Sequence, residues 1–202
     1  MNLPNKLTLL RIISVPVFII FMYMNDIAKL FGTDSIGAAY EISVWIGFAV
    51  FCIAAFTDFL DGQIARKYNL VTTFGKFADP LADKMLTITA LIIVSEIWSV
   101  SLAAVILIIC RELAVDGLRL TVAKQDVVVP ANIWGKTKTA VTMVGITALL
   151  LIYALMNSFD NFAMSYHSGV VTANWLIWFC VVLTWVSGYT YFKTLWKYID
   201  MK

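Results

Sequence analysis

Soft metal ligands are scarce in this chain: its 202 residues include one histidine and three cysteines. Cys52, Cys110 and Cys180 lie in apolar stretches, are odd in number and show no CxxC spacing. That excludes a thiolate zinc centre and a disulfide framework, and leaves the three as packing residues. Charge is scarce as well. Only 14% of the residues are charged, 15 Lys and Arg against 13 Asp and Glu, and the net charge of +2 comes without a basic run. A nucleic-acid partner is excluded on that pattern. No low-complexity stretch, repeat or soluble extension is visible, so the chain reads as a single domain, 1–202.

What is abundant is apolar sequence. The hydrophobic share is 61%, against roughly 45–50% in a soluble domain, which excludes a conventional water-soluble fold. The hydropathy pattern predicts an all-α polytopic membrane protein with six helices, at about 7–24, 42–60, 81–96, 99–119, 137–157 and 170–192. The first apolar stretch follows Lys6 and Arg11, carries Pro16 and is not followed by a small-residue cleavage site. It reads as a retained membrane helix rather than a leader. Between Met85 and Cys110 only Glu96 and a short polar turn at Ser99 and Ser101 interrupt the apolar run, which fits a helical hairpin. Six spans put both termini, the 61–80 loop and the 111–138 segment on one side, with every Lys and Arg except Lys29. By the positive-inside rule that side is cytoplasmic.

At the cytoplasmic end of the second helix the sequence reads TDFLDGQIARKYNL, followed by VTTFGKFADPLADK. Asp58, Asp61, Asp79 and Asp83 therefore fall close together at one membrane edge. If the second helix continues through Arg66, then Asp58, Asp61, Gly62 and Ala65 share one stripe, acid beside absent bulk. Gly62 costs about 1 kcal/mol relative to Ala inside a helix, so something must approach the backbone closely there. Across the loop, Asp79 is expected as an N-cap with Pro80 at the first helical position, leaving Asp83 on the same face. Such a concentration of carboxylates needs protons or hard cations, and oxygen-only ligands favour Mg²⁺ or Mn²⁺ over zinc. Helix capping and pairing with Arg66, Lys67, Lys76 and Lys84 would account for the acids alone, but not for Gly62, Ala65 and Gly75.

The full spacing is D-x-x-D-G-x-x-A-R-x₈-G-x₃-D-x₃-D, from Asp58 through Asp61, Gly62, Ala65, Arg66, Gly75 and Asp79 to Asp83. It resembles the signature of the CDP-alcohol phosphotransferase family, with every specified position present. The resemblance implies six membrane helices and a cytoplasmic active site, with two divalent cations on Asp58, Asp61, Asp79 and Asp83 and with Asp83 as general base. It implies that Gly62, Ala65, Arg66 and Gly75 surround the cytidine diphosphate group. The opening MNLPNKLTLLR, the CRELAVDGLRL stretch and the later WGKTKT are similar to family members that use CDP-diacylglycerol as donor and glycerol 3-phosphate as acceptor. The implied products are phosphatidylglycerophosphate and CMP, made in the cell membrane of a bacterium by a homodimer among membrane lipids.

A phosphorylated acceptor needs further cations, and Arg111, Arg119, Lys136 and Lys138 are the candidates, Arg111 and Lys136 first. The positive-inside signal and lipid headgroups would also place basic residues there. Asn5, Thr8 and Arg11 share one side of the first helix at i, i+3 and i+6 and are candidate substrate contacts, although capping and headgroup contact explain them too. His167, in the outer loop, and the aromatic last helix with Trp175, Trp178, Trp185 and Trp196 stay outside the mechanism. Another acceptor, serine or inositol phosphate, would use the same motif. A divalent-cation transporter would need acids mid-membrane on several helices, and a non-catalytic lipid-binding protein would release no CMP.

Overall fold

The computed structural model describes residues 2–33, 37–68, 73–123, 133–159 and 164–196, and at 3–4, 59–68, 73–74, 76–77, 119–123 and 195 the backbone alone. Among the described residues the structure is entirely helical: α1 (Leu3–Met22), α2 (Met24–Leu30), α3 (Ala38–Tyr68), α4 (Thr73–Ile97), α5 (Leu102–Ala123), α6 (Ile133–Ser158) and α7 (Tyr166–Leu195). The six expected helices are present and longer than expected. α2 is additional, a short helix of MNDIAKL with an exposed Lys29–Asp26 pair across one turn, set in a stretch the hydropathy pattern leaves polar.

α3 does continue through Arg66, as the stripe requires. At about 1.5 Å per residue its 31 residues reach about 46 Å, well beyond a hydrocarbon core of about 30 Å. Its apolar part ends at Asp58, so the motif rides on a polar extension of a membrane-length helix.

α4 corrects the expected boundary. It starts at Thr73, which leaves Pro80 inside the helix and Asp79 as an interior residue rather than an N-cap. The φ of proline is already helical, and its cost is a missing N–H and a clash with the carbonyl one turn back. That cost is offset by burial: Ala78, Ala82, Leu86 and Ala90, at strict four-residue spacing, are at most 3% exposed. Asp79 and Asp83 still share a face, now as an i, i+4 pair.

Four described stretches are long and apolar enough to cross a membrane: Asn5–Met22, Ala38–Asp58, Ile133–Ser158 and Tyr166–Thr194. α4 and α5 fall short because charge intrudes on both, Asp79, Asp83, Lys84 and Glu96 on the one, Arg111, Glu112 and Asp116 on the other. The chain is thus a multi-pass membrane protein by composition and helix length.

Two compact units divide the chain, Met1–Ile93 with Leu150–Ala163, and Val94–Leu149 with Met164–Lys202. In the first, α1 lies along α3, with Phe18 against Phe51 at 5.6 Å between ring centroids. The end of α6 is tied to α3 by the Tyr40–Tyr153 hydroxyl pair at 2.6 Å and by Trp45 Nε1 donating to Ser158 Oγ at 2.7 Å. In the second, α5 lies along α7. The α4–α5 connection is a short turn at the expected Ser99 and Ser101: Ser99 takes a left-handed φ of 47°, and Val100 N–H closes back on Ser95 O at 2.9 Å. Trp98 is fully buried, donates Nε1 to Leu149 O and stacks on Tyr166. Gly169 gives that indole its room, since a Cβ there would run into the Trp98 ring at Cζ3.

Gly169→Val should therefore overpack a ring that has nowhere to go, costing about 1–3 kcal/mol. Gly117, on α5, has nothing within 4 Å of an added Cβ. Gly117→Ala is expected to leave stability unchanged or to raise it by up to about 1 kcal/mol. Thermal unfolding in detergent, read by tryptophan fluorescence, checks both. Equal midpoints for the two variants would contradict the packing described.

Candidate active site

The site is best built from α1 outwards. Asn5, Thr8 and Arg11 are 8%, 0% and 0% exposed, so the polar stripe of α1 faces inward. From it, Arg11 Nη1 lies 2.7 Å from Asp58 Oδ1 on α3. One turn earlier, the Thr8 hydroxyl donates to Asp79 Oδ1 on α4. Residues three apart on a helix are neighbours, with Cβ atoms about 5–6 Å apart. Two carboxylates from two different helices are thereby held side by side by a third. The Asp58 side chain is 42% exposed. Asp79 and Asp83 are half-buried, and the Asp83 carbonyl accepts from Thr87 Oγ1 at 2.9 Å.

Gly75 is buried in the first turn of α4. Asp61, Gly62, Ala65 and Arg66 lie on the helical backbone of α3, with Asp61, Gly62 and Ala65 on the stripe of Asp58, while their side chains lie outside the described residues. Among the described residues no three acidic, His or Cys side chains form a ready cation cage. The donors present are carboxylate oxygens, the class that Mg²⁺ and Mn²⁺ take, and each carboxylate offers about four lone-pair positions, of which one contact uses one. The residues fit a hard divalent cation. Beside Asp58 runs an apolar groove of about 230 Å³, lined by Leu10, Ile13, Val17, Val50, Ile53 and Thr57.

In the second unit the structure gathers two of the four cations expected to meet a phosphate. Arg111 is 7% exposed, donates Nη2 to Ser187 Oγ at 2.9 Å and pairs through Nη1 with Glu112 at 3.2 Å. Lys138, from α6, donates to the same Glu112 oxygen. Gly188 makes room for the arginine, because a Cβ there would stand 2.9 Å from Arg111 Nε. Lys136 is exposed instead, and the side chain of Arg119 lies outside the described residues. Glu112, Ser187 and Gly188 went unnoticed in the sequence. Only the adjacency of Glu112 to Arg111 hinted at the first, and the other two are remote in sequence from both cations. His167 is exposed at the start of α7, as are Trp175, Trp178, Trp185 and Trp196 along it.

The profile of the CDP-alcohol phosphatidyltransferase family matches residues 1–186. The chain belongs to that family. A Bacillus subtilis protein named CDP-diacylglycerol--glycerol-3-phosphate 3-phosphatidyltransferase is 43% identical over 198 residues, covering 97% of this chain and 96% of its own. One of the same name from Rickettsia bellii is 36% identical over 197 residues, covering 98% and 97%. Another from Mycoplasma pneumoniae is 36% identical over 158 residues, covering 76% and 69%. The match covers the motif on α3 and α4 together with Arg111, Glu112 and Lys138, and ends just before Ser187 and Gly188.

The Glu112 bridge generates a stability prediction. Glu112→Gln removes the acceptor shared by two largely buried cations, and should cost roughly 1–3 kcal/mol. Glu41, exposed in the first turn of α3, gives the comparison: Glu41→Gln is expected to stay within about 0.5 kcal/mol of the parent. Midpoints of thermal unfolding in detergent decide. A Glu112→Gln midpoint equal to that of Glu41→Gln would show that the bridge is not a structural tie.

Proposed function

We propose that this chain transfers a phosphatidyl group from CDP-diacylglycerol to glycerol 3-phosphate, giving phosphatidylglycerophosphate and CMP. The observation that carries the reading is the gathering of Asp58 and Asp79 on adjacent turns of α1, one carboxylate from each half of the motif. The names of the full-length relatives support the choice of donor and acceptor.

Asp58, Asp61, Asp79 and Asp83 hold two divalent cations, Mg²⁺ or Mn²⁺. When bound, these supply charge neutralisation of the pyrophosphate and of the departing CMP. Gly62, Ala65 and Gly75 leave space for the cytidine diphosphate group, and Arg66 donates charge-assisted hydrogen bonds to its phosphates. The groove at Leu10, Ile13 and Val50 takes an acyl chain of the donor. Asp83 accepts the proton of the acceptor hydroxyl as its oxygen attacks the lipid-bearing phosphorus, and the bond to the CMP oxygen breaks. Arg111 and Lys138, with Lys136 and Arg119, bind the acceptor's own phosphate.

Six spans complete the reading, with α4 and α5 crossing as a hairpin, both termini and the site cytoplasmic, and the chain acting as one domain and as a homodimer in a bacterial cell membrane. A divalent-cation transporter finds no support on α6 or α7, which carry no acid.

Purified protein is assayed for CMP release from CDP-diacylglycerol with glycerol 3-phosphate, serine and inositol phosphate in turn. Release is expected with glycerol 3-phosphate, and a preference for another acceptor would overturn the substrate assignment. Asp58→Asn, Asp79→Asn and Asp83→Asn should each lose turnover while remaining folded, and near-normal rates in two of them would refute the site.

The acceptor cations give a separate expectation. Arg111→Gln and Lys138→Gln should raise the acceptor KM about 10- to 150-fold, the equivalent of one charged hydrogen bond, with little change in the KM for CDP-diacylglycerol. Parallel changes in both KM values would mean that these cations do not read the acceptor.

A further inference from the structure

Among the described residues of α1, Thr8 and Arg11 are the fully buried polar side chains, and each contacts one acid of the motif. Their register is informative. Three residues apart, they reach Asp79 on α4 and Asp58 on α3, so α1 is the element that sets the distance between carboxylates belonging to different helices. Left alone, two such carboxylates repel, and each side chain would turn towards solvent. A hydroxyl donating to Asp79 and a guanidinium ion-paired with Asp58 oppose that, because each holds one oxygen of its carboxylate in place.

We propose that Thr8 and Arg11 are positioning residues for the divalent-cation site. They act through Asp79 and Asp58, orienting the carboxylates for a cation, and are not themselves substrate contacts. The inference rests on the cation-dependent transferase reading above and adds to it the two residues that prepare the site. Partners of this kind, bonded to the ligands rather than to the metal, characteristically carry about 10- to 100-fold in metal affinity. Neutral donor and cation also make the two carboxylates unequal before any metal arrives.

The test is Mn²⁺ binding to the full chain in detergent without lipid substrate, followed by the electron paramagnetic resonance signal of free Mn²⁺. Thr8→Val, which keeps the shape and removes the donor, is expected to weaken Mn²⁺ about 10-fold or more, and Thr8→Ser to restore it. On an Asp79→Asn background, Thr8→Val should add little further loss, because the partner through which it acts is already gone. Arg11→Lys keeps the charge and loses the planar fork, so weaker Mn²⁺ binding there reports orientation rather than net charge. Size-exclusion profiles and thermal midpoints identify folded variants. Folded Thr8→Val and Arg11→Lys proteins that bind Mn²⁺ as the parent does would overturn this inference and leave the transferase reading standing. So would a Thr8→Val loss that Thr8→Ser does not repair. A parent protein that binds no Mn²⁺ would overturn the cation reading and this inference together.

Discussion

Negative charge gathered at the edge of an apolar helix bundle is the constraint on which the rest of this structure depends. Two carboxylates about 4 Å apart repel by about 4 kcal/mol at an effective dielectric of 20. A chain that must place several of them together needs compensation within the fold, before any ligand contributes. Arg11 supplies part of it. Burying a guanidinium completely is costly unless it is paired, and Asp58 on α3 supplies Arg11 with a carboxylate. The dependence is mutual, and it makes the packing of α1 on α3 and the geometry of the acids one problem rather than two. Thr8 meets the neighbouring half with a neutral donor, so this contact adds no charge of its own.

The second unit meets the opposite difficulty, two cations in a confined place. Glu112 stands between Arg111 and Lys138 and leaves the cluster with one positive charge in excess. An arginine so nearly buried also donates Nη2 to Ser187 Oγ, and it fits because the next residue of α7 is Gly188. Charge here is tuned rather than maximised. A bare pair of cations would be hard to bury, whereas a pair sharing one carboxylate is tolerable and keeps one positive charge in excess.

Much of this was legible in the sequence, where the signal was periodic or local. The stripe of Asp58, Asp61, Gly62 and Ala65 required α3 to run on past its apolar part, and it does. The i, i+3, i+6 spacing of Asn5, Thr8 and Arg11 put them on one side of α1, and they are buried together. What the spacing could not say was which way that side faced, so capping and headgroup contact explained it as well as an inward role did. Asp79-Pro80 carries the local chemistry of a helix start, and tertiary burial of Ala78 and Ala82 overrode it. α2 was missed because a helix of seven residues, with Asn25, Asp26 and Lys29 breaking its apolar positions, is too short to leave a hydropathy trace. Glu112 was missed for a different reason: its role depends on Lys138, which belongs to another helix.

Pro80 shows how a departure from local expectation is used. A proline inside a helix has no N–H to give to the carbonyl one turn before it. That carbonyl belongs to residue 76, and residues 76, 79, 80 and 83 fall on one face of α4. The irregularity therefore lies between residues 76 and 80, at the level of Asp79 and on the side of the helix that carries the acids. Backbone carbonyl oxygens are hard donors of the same class as carboxylates, so an oxygen relieved of its helical donor adds to the negative potential there rather than opposing it. The same residue in the buried half of α4 would have left an unsatisfied oxygen among apolar side chains, at a cost of roughly 1–3 kcal/mol. The helix tolerates proline where a surplus of oxygen suits the site, and α1 supplies the donors that keep that surplus in order.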